Sequence, residues 1–253
     1  MACASAPGTP ATTSARAGRA SWYSYPEGRP EDPEPPEPGG GDGLVVIAGE
    51  SELAEELAEA AIGAGWDVAA PEDADGEVPA LIVDCGSHDA MLQGGPQLVL
   101  CDAAPLAAQD PGGPSAGFHL LPPFGRLAEL TSTPSTAPAT VAAAERFFAT
   151  LGMVTERVGD APGLVLGRIV AQLVNEAAFA VGEGVGSPAD VDAGMVLGLN
   201  HPRGPMEWGD EIGAAEVLVL LTALQEEYRE ERYRPAPELV RAARSGEPLR
   251  VGD

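Results

Sequence analysis

The chain has 253 residues, a formal net charge of −25 at pH 7 and a hydrophobic share of 44%. That share is enough for a buried core, whereas so negative a surface repels phosphates and argues against nucleic acid or an anionic membrane as a partner. Arginine supplies all fourteen basic residues, so a bound phosphate would have to be met by arginine or by backbone N–H groups.

Neither a membrane span nor a metal site is predicted. The apolar stretches are interrupted before the ~20 residues that a helix needs to cross a bilayer, and no basic start with a compact apolar run marks a secretory signal. Cys3, Cys85 and Cys101 are an odd number at no metal-ligand spacing, which is typical of thiols in a reducing cytoplasm. The sequence therefore predicts a cytoplasmic protein without a bound metal.

The first 42 residues differ in composition from the rest of the chain. They are dominated by Ala, Pro, Gly, Ser, Thr and Glu, and they end in a run of prolines and glycines. Such a segment cannot bury enough apolar surface to offset its chain entropy. We predict that residues 1–42 form a disordered tail.

Residues 43–158 have the pattern of an α/β domain. The continuous apolar run at 44–48 predicts a buried parallel strand, and a helical pattern follows it. Four further strands are predicted at residues 65–70, 81–83, 98–100 and 153–158, with a helix at 140–151. The strand–helix–strand order favours a parallel sheet.

From residue 159 to the end, the sequence predicts helices. Residues 164–182 are apolar on nearly every side, which is typical of a central helix or a subunit contact. Ser187, Pro188 and Asp190 predict a capped helix start, with the serine at the N-cap and the aspartate at the capping-box position. An all-helical second domain is therefore predicted at 159–253.

The turn after the first strand has the outline of a dinucleotide-binding loop. Gly49, Ser51 and Ala54 form G-x-S-x-x-A where such proteins carry G-x-G-x-x-G/A. Gly49 permits the tight turn and Ala54 permits close helix packing, but the Ser51 side chain obstructs the pyrophosphate. Glu72 follows the second strand, where an acid would hold the ribose hydroxyl. An α/β frame that never binds nucleotide explains these residues equally well.

Four glutamates surround this loop, at residues 50, 52, 55 and 56. Each carboxylate placed ~4 Å from a phosphate costs ~1 kcal/mol even at the dielectric constant of water. The sequence therefore predicts that binding of NAD at this loop is impaired.

His119 is followed at a short interval by Glu129. A histidine near a carboxylate is a general acid–base arrangement, in which the imidazole takes a hydroxyl proton and the carboxylate orients the ring. A histidine beside apolar residues also occurs for structural reasons, and the residues alone leave both interpretations open.

The helical part carries a series of short motifs in a fixed order. They are D-A-P-G-L-V-L-G-R at 160–168, V-N-E-A at 174–177, E-G-V at 183–185, D-V-D at 190–192, L-G at 197–198, N-H-P-R-G-P-M-E-W at 200–208 and E-R-Y-R-P-A-P at 231–237. In this order and spacing the series resembles the C-terminal domain of 3-hydroxyacyl-CoA dehydrogenases, of the 3-hydroxybutyryl-CoA type.

The resemblance implies a reduced Rossmann-like α/β domain followed by an all-α C-terminal domain. It implies oxidation of the 3-hydroxyl of an acyl-CoA by NAD, in fatty-acid or phenylacetate degradation, and a homodimer formed through the helical domain. Residues 117–123 resemble the family's G-x-H-F-F-N-P, which implies His119 as the catalytic base and Glu129 as its partner.

Several positions depart from the family pattern. Pro122 and Gly167 stand where asparagines are expected, Ala104 stands where a serine is expected, and the Rossmann part is shortened. The same reduction is found in the second half of long, duplicated dehydrogenases of this family. The alternative is therefore a catalytically inactive homologue that dimerises with or regulates a complete dehydrogenase. A third option is a module that binds acyl-CoA without redox chemistry.

Overall fold

The structure is a computed structural model that describes residues 33–74, 76–86, 94–123 and 125–250. The chain divides into residues 1–33 and a compact unit of residues 34–253. Within the described ranges, no helix is long and apolar enough to cross a membrane.

A seven-stranded sheet forms the first half of the compact unit, in the order β2-β1-β3-β4-β5-β6-β7. The strands are β1 (Leu44–Ala48), β2 (Asp67–Ala69), β3 (Leu81–Asp84), β4 (Gln97–Leu100), β5 (Ala116–His119), β6 (Leu127–Ser132) and β7 (Val154–Arg157). The first five strands are mutually parallel, β6 is antiparallel to β5, and β7 is parallel to β6. All five predicted strands are confirmed, whereas β5 and β6 are strands that the sequence pattern does not predict.

Eight α-helices complete the described part of the fold. Those of the first half are α1 (Glu52–Ala64), α2 (Leu106–Gln109) and α3 (Pro138–Thr150), and those of the second half are α4 (Leu166–Gly182), α5 (Pro188–Leu199), α6 (Pro205–Ile212), α7 (Ala214–Tyr228) and α8 (Pro237–Ser245). The capping box predicted for Ser187 is confirmed, because its side chain accepts from Asp190 N and the Asp190 side chain accepts from Ser187 N. Short 3-10 turns lie at Pro71–Asp73 and Glu231–Tyr233.

Two large hydrophobic cores lie within the compact unit. The first fills the space between the sheet, α1 and α3 and includes Leu57, Phe118 and Phe147. The second is built from α4, α6, α7 and α8 around residues such as Leu221. A small third cluster joins the two halves, because Leu164, from the segment before α4, packs with residues of β4 and α2. This arrangement is compatible with the predicted division at residue 158.

The end of the predicted disordered tail is ordered against the first half. Gly39 N donates to Thr150 O at 2.8 Å, and Gly41 N donates to Ala64 O at 2.9 Å. Gly41 lies so close to Trp66 that a Cβ atom would come within 2.6 Å of the indole. The structure therefore differs from the prediction at residues 39–41, because these glycines let the backbone approach and bond to the domain. Residues 1–32 lie outside the described residues, and their disorder stays a prediction.

Candidate functional site

The order of the sheet reverses at β1, which has β2 on one side and β3 on the other. In open α/β sheets, ligands bind in the crevice beyond the carboxyl ends of the strands at such a reversal. The loop of Gly49 lies at this point. Gly49 adopts φ +121, and a Cβ atom there would lie 3.1 Å from Cys85 O. The predicted tight turn is present, and glycine is required for it.

Ser51 is the N-cap of α1, and its side chain accepts a hydrogen bond from Ala54 N at 3.3 Å. That hydroxyl uses one of the free N–H groups with which a helix N-terminus holds an anion. Ala54 is buried against the sheet, as expected for close helix packing. Glu72 lies exposed in the short turn directly after β2, which matches the predicted position for a ribose contact.

The charge at this loop also opposes an anion. Glu50, Glu52 and Glu55 are all exposed at the loop and in the first turn of α1. Their carboxylates stabilise the helix by interacting with its dipole. The same carboxylates would repel a phosphate brought to the helix N-terminus, at ~1 kcal/mol each for a separation of ~4 Å in water.

His119 and Glu129 lie directly opposite each other, because β5 and β6 pair in that register. His119 is the last residue of β5 and is only 7% exposed. Neither of its ring nitrogens has a hydrogen-bond partner among the described residues. Burial lowers the pKa of His119 from 6.5 to about 4, so the imidazole is neutral at neutral pH. The structure thus brings the predicted pair together without linking it by a hydrogen bond.

The Glu129 carboxylate bonds to helix α4 instead. Its Oε2 atom accepts from Val165 N and from Leu166 N, both at 3.0 Å. Burial raises the pKa of Glu129, and the two backbone hydrogen bonds oppose that shift. The expected orientation of His119 by Glu129 is therefore absent in this structure, because the unpaired N–H groups and positive dipole of the helix N-terminus compete for the carboxylate.

The first turn of α4 packs directly on the imidazole. A Cβ atom on Gly167 would lie 2.6 Å from His119 Nε2 and 2.9 Å from His119 Cε1. The segment that leads into this turn is fixed by Leu164, which adopts φ +45 and is almost fully buried. Helix backbone therefore covers one side of the His119 ring.

A second carboxylate also joins the two halves. It comes from the segment before α4 and bonds to a helix of the first half. Asp160, which precedes α4, accepts from Leu106 N at 2.7 Å and from Ala107 N at 2.9 Å. It thereby caps α2 of the first half, as Glu129 caps α4 of the second half. Sequence reasoning does not find this function of either residue, because each partner lies more than 30 positions away.

Motif residues of the helical half hold their own fold together. Asn175 is fully buried, donates to Arg234 O at 2.9 Å and accepts from Ala236 N at 2.7 Å. Asp192 caps α6 by accepting from Met206 N at 2.8 Å. These two motif positions are therefore explained by packing and capping alone.

The helical half of the chain is similar to a known family of domains. Residues 163–251 match the family model described as 3-hydroxyacyl-CoA dehydrogenase, C-terminal domain. The 3-hydroxyadipyl-CoA dehydrogenase of Escherichia coli (strain K12) is 45% identical over 84 residues, which are 33% of this chain and 18% of that protein. The 3-hydroxybutyryl-CoA dehydrogenase of Bradyrhizobium diazoefficiens is 36% identical over 132 residues, which are 51% of this chain and 45% of that protein. The chain thus spans less than half the length of these two relatives.

Solved structures show the same fold over most of the chain. The (S)-3-hydroxybutyryl-CoA dehydrogenase of Ralstonia eutropha matches with a TM-score of 0.67 at 23% identity, and the match covers 80% of this chain and 94% of that protein. FadB2 of M. tuberculosis matches with a TM-score of 0.70 at 21% identity, and the match covers 81% of this chain and 94% of that protein. At these identities the likeness concerns the fold alone, and it confirms the predicted Rossmann-like sheet followed by a helical domain.

The buried His119 predicts a loss of stability in acid. Because its pKa falls from 6.5 to about 4 on folding, its contribution is fully present above pH 6.5 and is lost as the pH falls from there towards 4. The loss amounts to about 3 kcal/mol at most. Urea denaturation at pH 7.5 and pH 4.5 should show this loss, and H119L should show much less of it.

The pKa of Glu129 is raised, so this residue adds stability as the pH falls, opposite to His119. The difference between wild type and H119L in their loss of stability therefore isolates the contribution of the histidine. V170A removes buried volume from the helical core and serves as the control. It should lower the unfolding free energy at both pH values and keep the acid-dependent loss. An equal loss in H119L and wild type would contradict the burial of a neutral imidazole.

Proposed function

We propose that this chain, whose helical domain belongs to the 3-hydroxyacyl-CoA dehydrogenase family, is a dehydrogenase of reduced activity. Its reaction would be oxidation of the 3-hydroxyl of an acyl-CoA with NAD, in cytoplasmic fatty-acid or phenylacetate degradation. The observation that supports it best is the placement of His119 opposite Glu129 at the carboxyl end of β5. Because β1 to β5 are parallel, that end lies at the same edge of the sheet as the Gly49 loop.

The separation along this edge suits a shared site. Three strand spacings lie between β1 and β5, which corresponds to roughly 14 Å at the usual distance between strands. The turn at Gly49 and the first amides of α1 would hold the pyrophosphate, and Glu72 would hold the ribose. NAD, when bound, supplies the acceptor for the hydride that leaves carbon 3 of the substrate.

The neutral imidazole of His119 can accept the proton of the 3-hydroxyl as the carbonyl forms. Glu129, directly across the strand pair, would then stabilise the imidazolium once its carboxylate leaves the amides of α4. Proton transfer therefore requires the first turn of α4 to move away from the ring. The repulsion at the nucleotide loop and the covered histidine both support a reduced rather than a full activity.

Turnover tests the role of His119. Wild-type protein should oxidise NADH in the presence of acetoacetyl-CoA, which is the reverse reaction, in which His119 returns the proton as the general acid. H119A should lower kcat/KM by about 100-fold or more, since general acid–base catalysis contributes roughly 10²–10⁴-fold. H201A, which changes a histidine in the turn after α5, is the matched control and should keep wild-type activity. A folded wild-type protein without turnover, or an H119A protein as active as wild type, would refute the proposal.

The charge of the nucleotide loop gives a separate test by calorimetry. E50Q/E52Q should bind NADH roughly 30-fold more tightly than wild type, since two terms of ~1 kcal/mol are removed. E59Q changes an exposed glutamate in a later turn of the same helix and should leave the affinity unchanged. Equal affinities for all three proteins would mean that NADH does not use this loop.

A second candidate function is that of a non-catalytic dimerisation partner. The observation that favours it is the apolar surface of α5, in which Leu197 is 85% exposed and Leu199 is 65% exposed. Only Pro188 of this helix is buried, and contiguous exposed apolar residues of this kind mark interaction surfaces. A second copy of the chain or a complete dehydrogenase would cover them.

Self-association tests this surface. L197E should shift the chain from dimer to monomer in analytical ultracentrifugation, because a buried unpaired carboxylate disfavours the contact. V78E changes a comparably exposed apolar residue of the first half and should leave the dimer intact. A dimer that survives L197E would exclude α5 as the interface.

A further inference from the structure

The first turn of α4 is anchored on two sides. On one side, Val165 N and Leu166 N bond to Glu129 of β6. On the other side, the Arg168 guanidinium donates to Tyr233 Oη and lies 4.5 Å from the ring centroid of Tyr228. The second anchor lies within the helical half, so the turn moves with that half. The turn meets the sheet at Glu129 and His119, and the segment before it is also held by the first half, because Gly163 N donates to Cys101 O at 3.1 Å and Leu164 packs with residues of β4 and α2.

We infer that this turn is an autoinhibitory contact, in which Gly167 seals His119 and Glu129 acts as the latch that holds the seal closed. The inference rests on the proposed function for its consequence, since the sealed group is the proposed base. The contact itself can be tested without measuring enzyme activity.

Glycine at position 167 makes the seal possible. A Cβ atom there would lie 2.6 Å from His119 Nε2 and 2.9 Å from His119 Cε1, closer than carbon atoms approach such groups in folded proteins. The ring belongs to a buried strand residue and cannot swing aside easily. Any other residue at 167 would therefore hold the helix backbone further from the imidazole and open a gap above it.

The latch occupies one oxygen of the carboxylate that lies opposite the ring. The carboxylate opposite His119 is that of Glu129, and its Oε2 atom is used by both amides of α4. From α4, the neighbouring charged side chain, Arg168, points to the two tyrosines. Within the described residues, both imidazole nitrogens lack hydrogen bonds, and an open state would let water or substrate bond to them.

The experiment compares G167A with wild type and with G194A, whose added methyl group would meet open space on α5. The measurements are an NMR titration of the His119 ring and its rate of modification by diethylpyrocarbonate. In G167A the titration midpoint should rise from near pH 4 towards 6.5, and the modification should become at least tenfold faster. G194A should match wild type. An unchanged His119 in folded G167A, or a wild-type His119 that reacts freely, would overturn the inference.

E129M provides the second variant in case G167A does not fold. Methionine has a similar length and accepts no comparable hydrogen bond, so amide exchange at Val165 and Leu166 should accelerate at least tenfold. Unchanged exchange in folded E129M would refute the latch. An exposed His119 in G167A without turnover would refute the dehydrogenase function and leave the seal supported, so the two failures are distinguishable.

Discussion

The hydrogen bonds from the first turn of α4 to the Glu129 carboxylate join the sheet to the helical half. A helix N-terminus has unpaired N–H groups and a positive dipole, so a buried carboxylate there is stabilised by both. The same bonds bring Gly167 onto His119 and deprive the histidine of its expected partner. The coverage of His119 by α4 depends on this contact, which joins the two halves together with Asp160 and Leu164.

Charge is the main obstacle to a phosphate at the Gly49 loop. Gly49 turns as a dinucleotide loop requires, and Ala54 packs closely under it. Glu50 and Glu52 then stand where a phosphate would gain from positive charge. A chain without lysine and with a net charge of −25 has few means to offset that repulsion. The tight turn and the close helix packing of a dinucleotide loop are present here, whereas Ser51 and the glutamates oppose a phosphate.

Much of the fold follows from local patterns in the sequence. Continuous apolar runs identify β1, β3 and β4, since a strand buried on both faces needs no alternation, and the Ser187 capping box follows from three neighbouring residues. Strands β5 and β6 escape prediction because histidine, glutamate and glycine interrupt their apolar residues. Two of these interrupting residues, His119 and Glu129, are the candidate site. The polar residues of the site therefore break the apolar pattern by which its strands would have been predicted.

The sequence by itself determined the helical domain with its motifs and the first strand–turn–helix with the Gly49 turn, and it singled out His119 and Glu129 as candidate residues. Only the tertiary structure decided what those two residues contact. Glu129 and the amides that it accepts are 36 and 37 residues apart along the chain, and Gly167 meets His119 from another part of the fold. Competition between a helix terminus and an imidazole for one carboxylate depends on distances in space, which no local pattern of residues encodes.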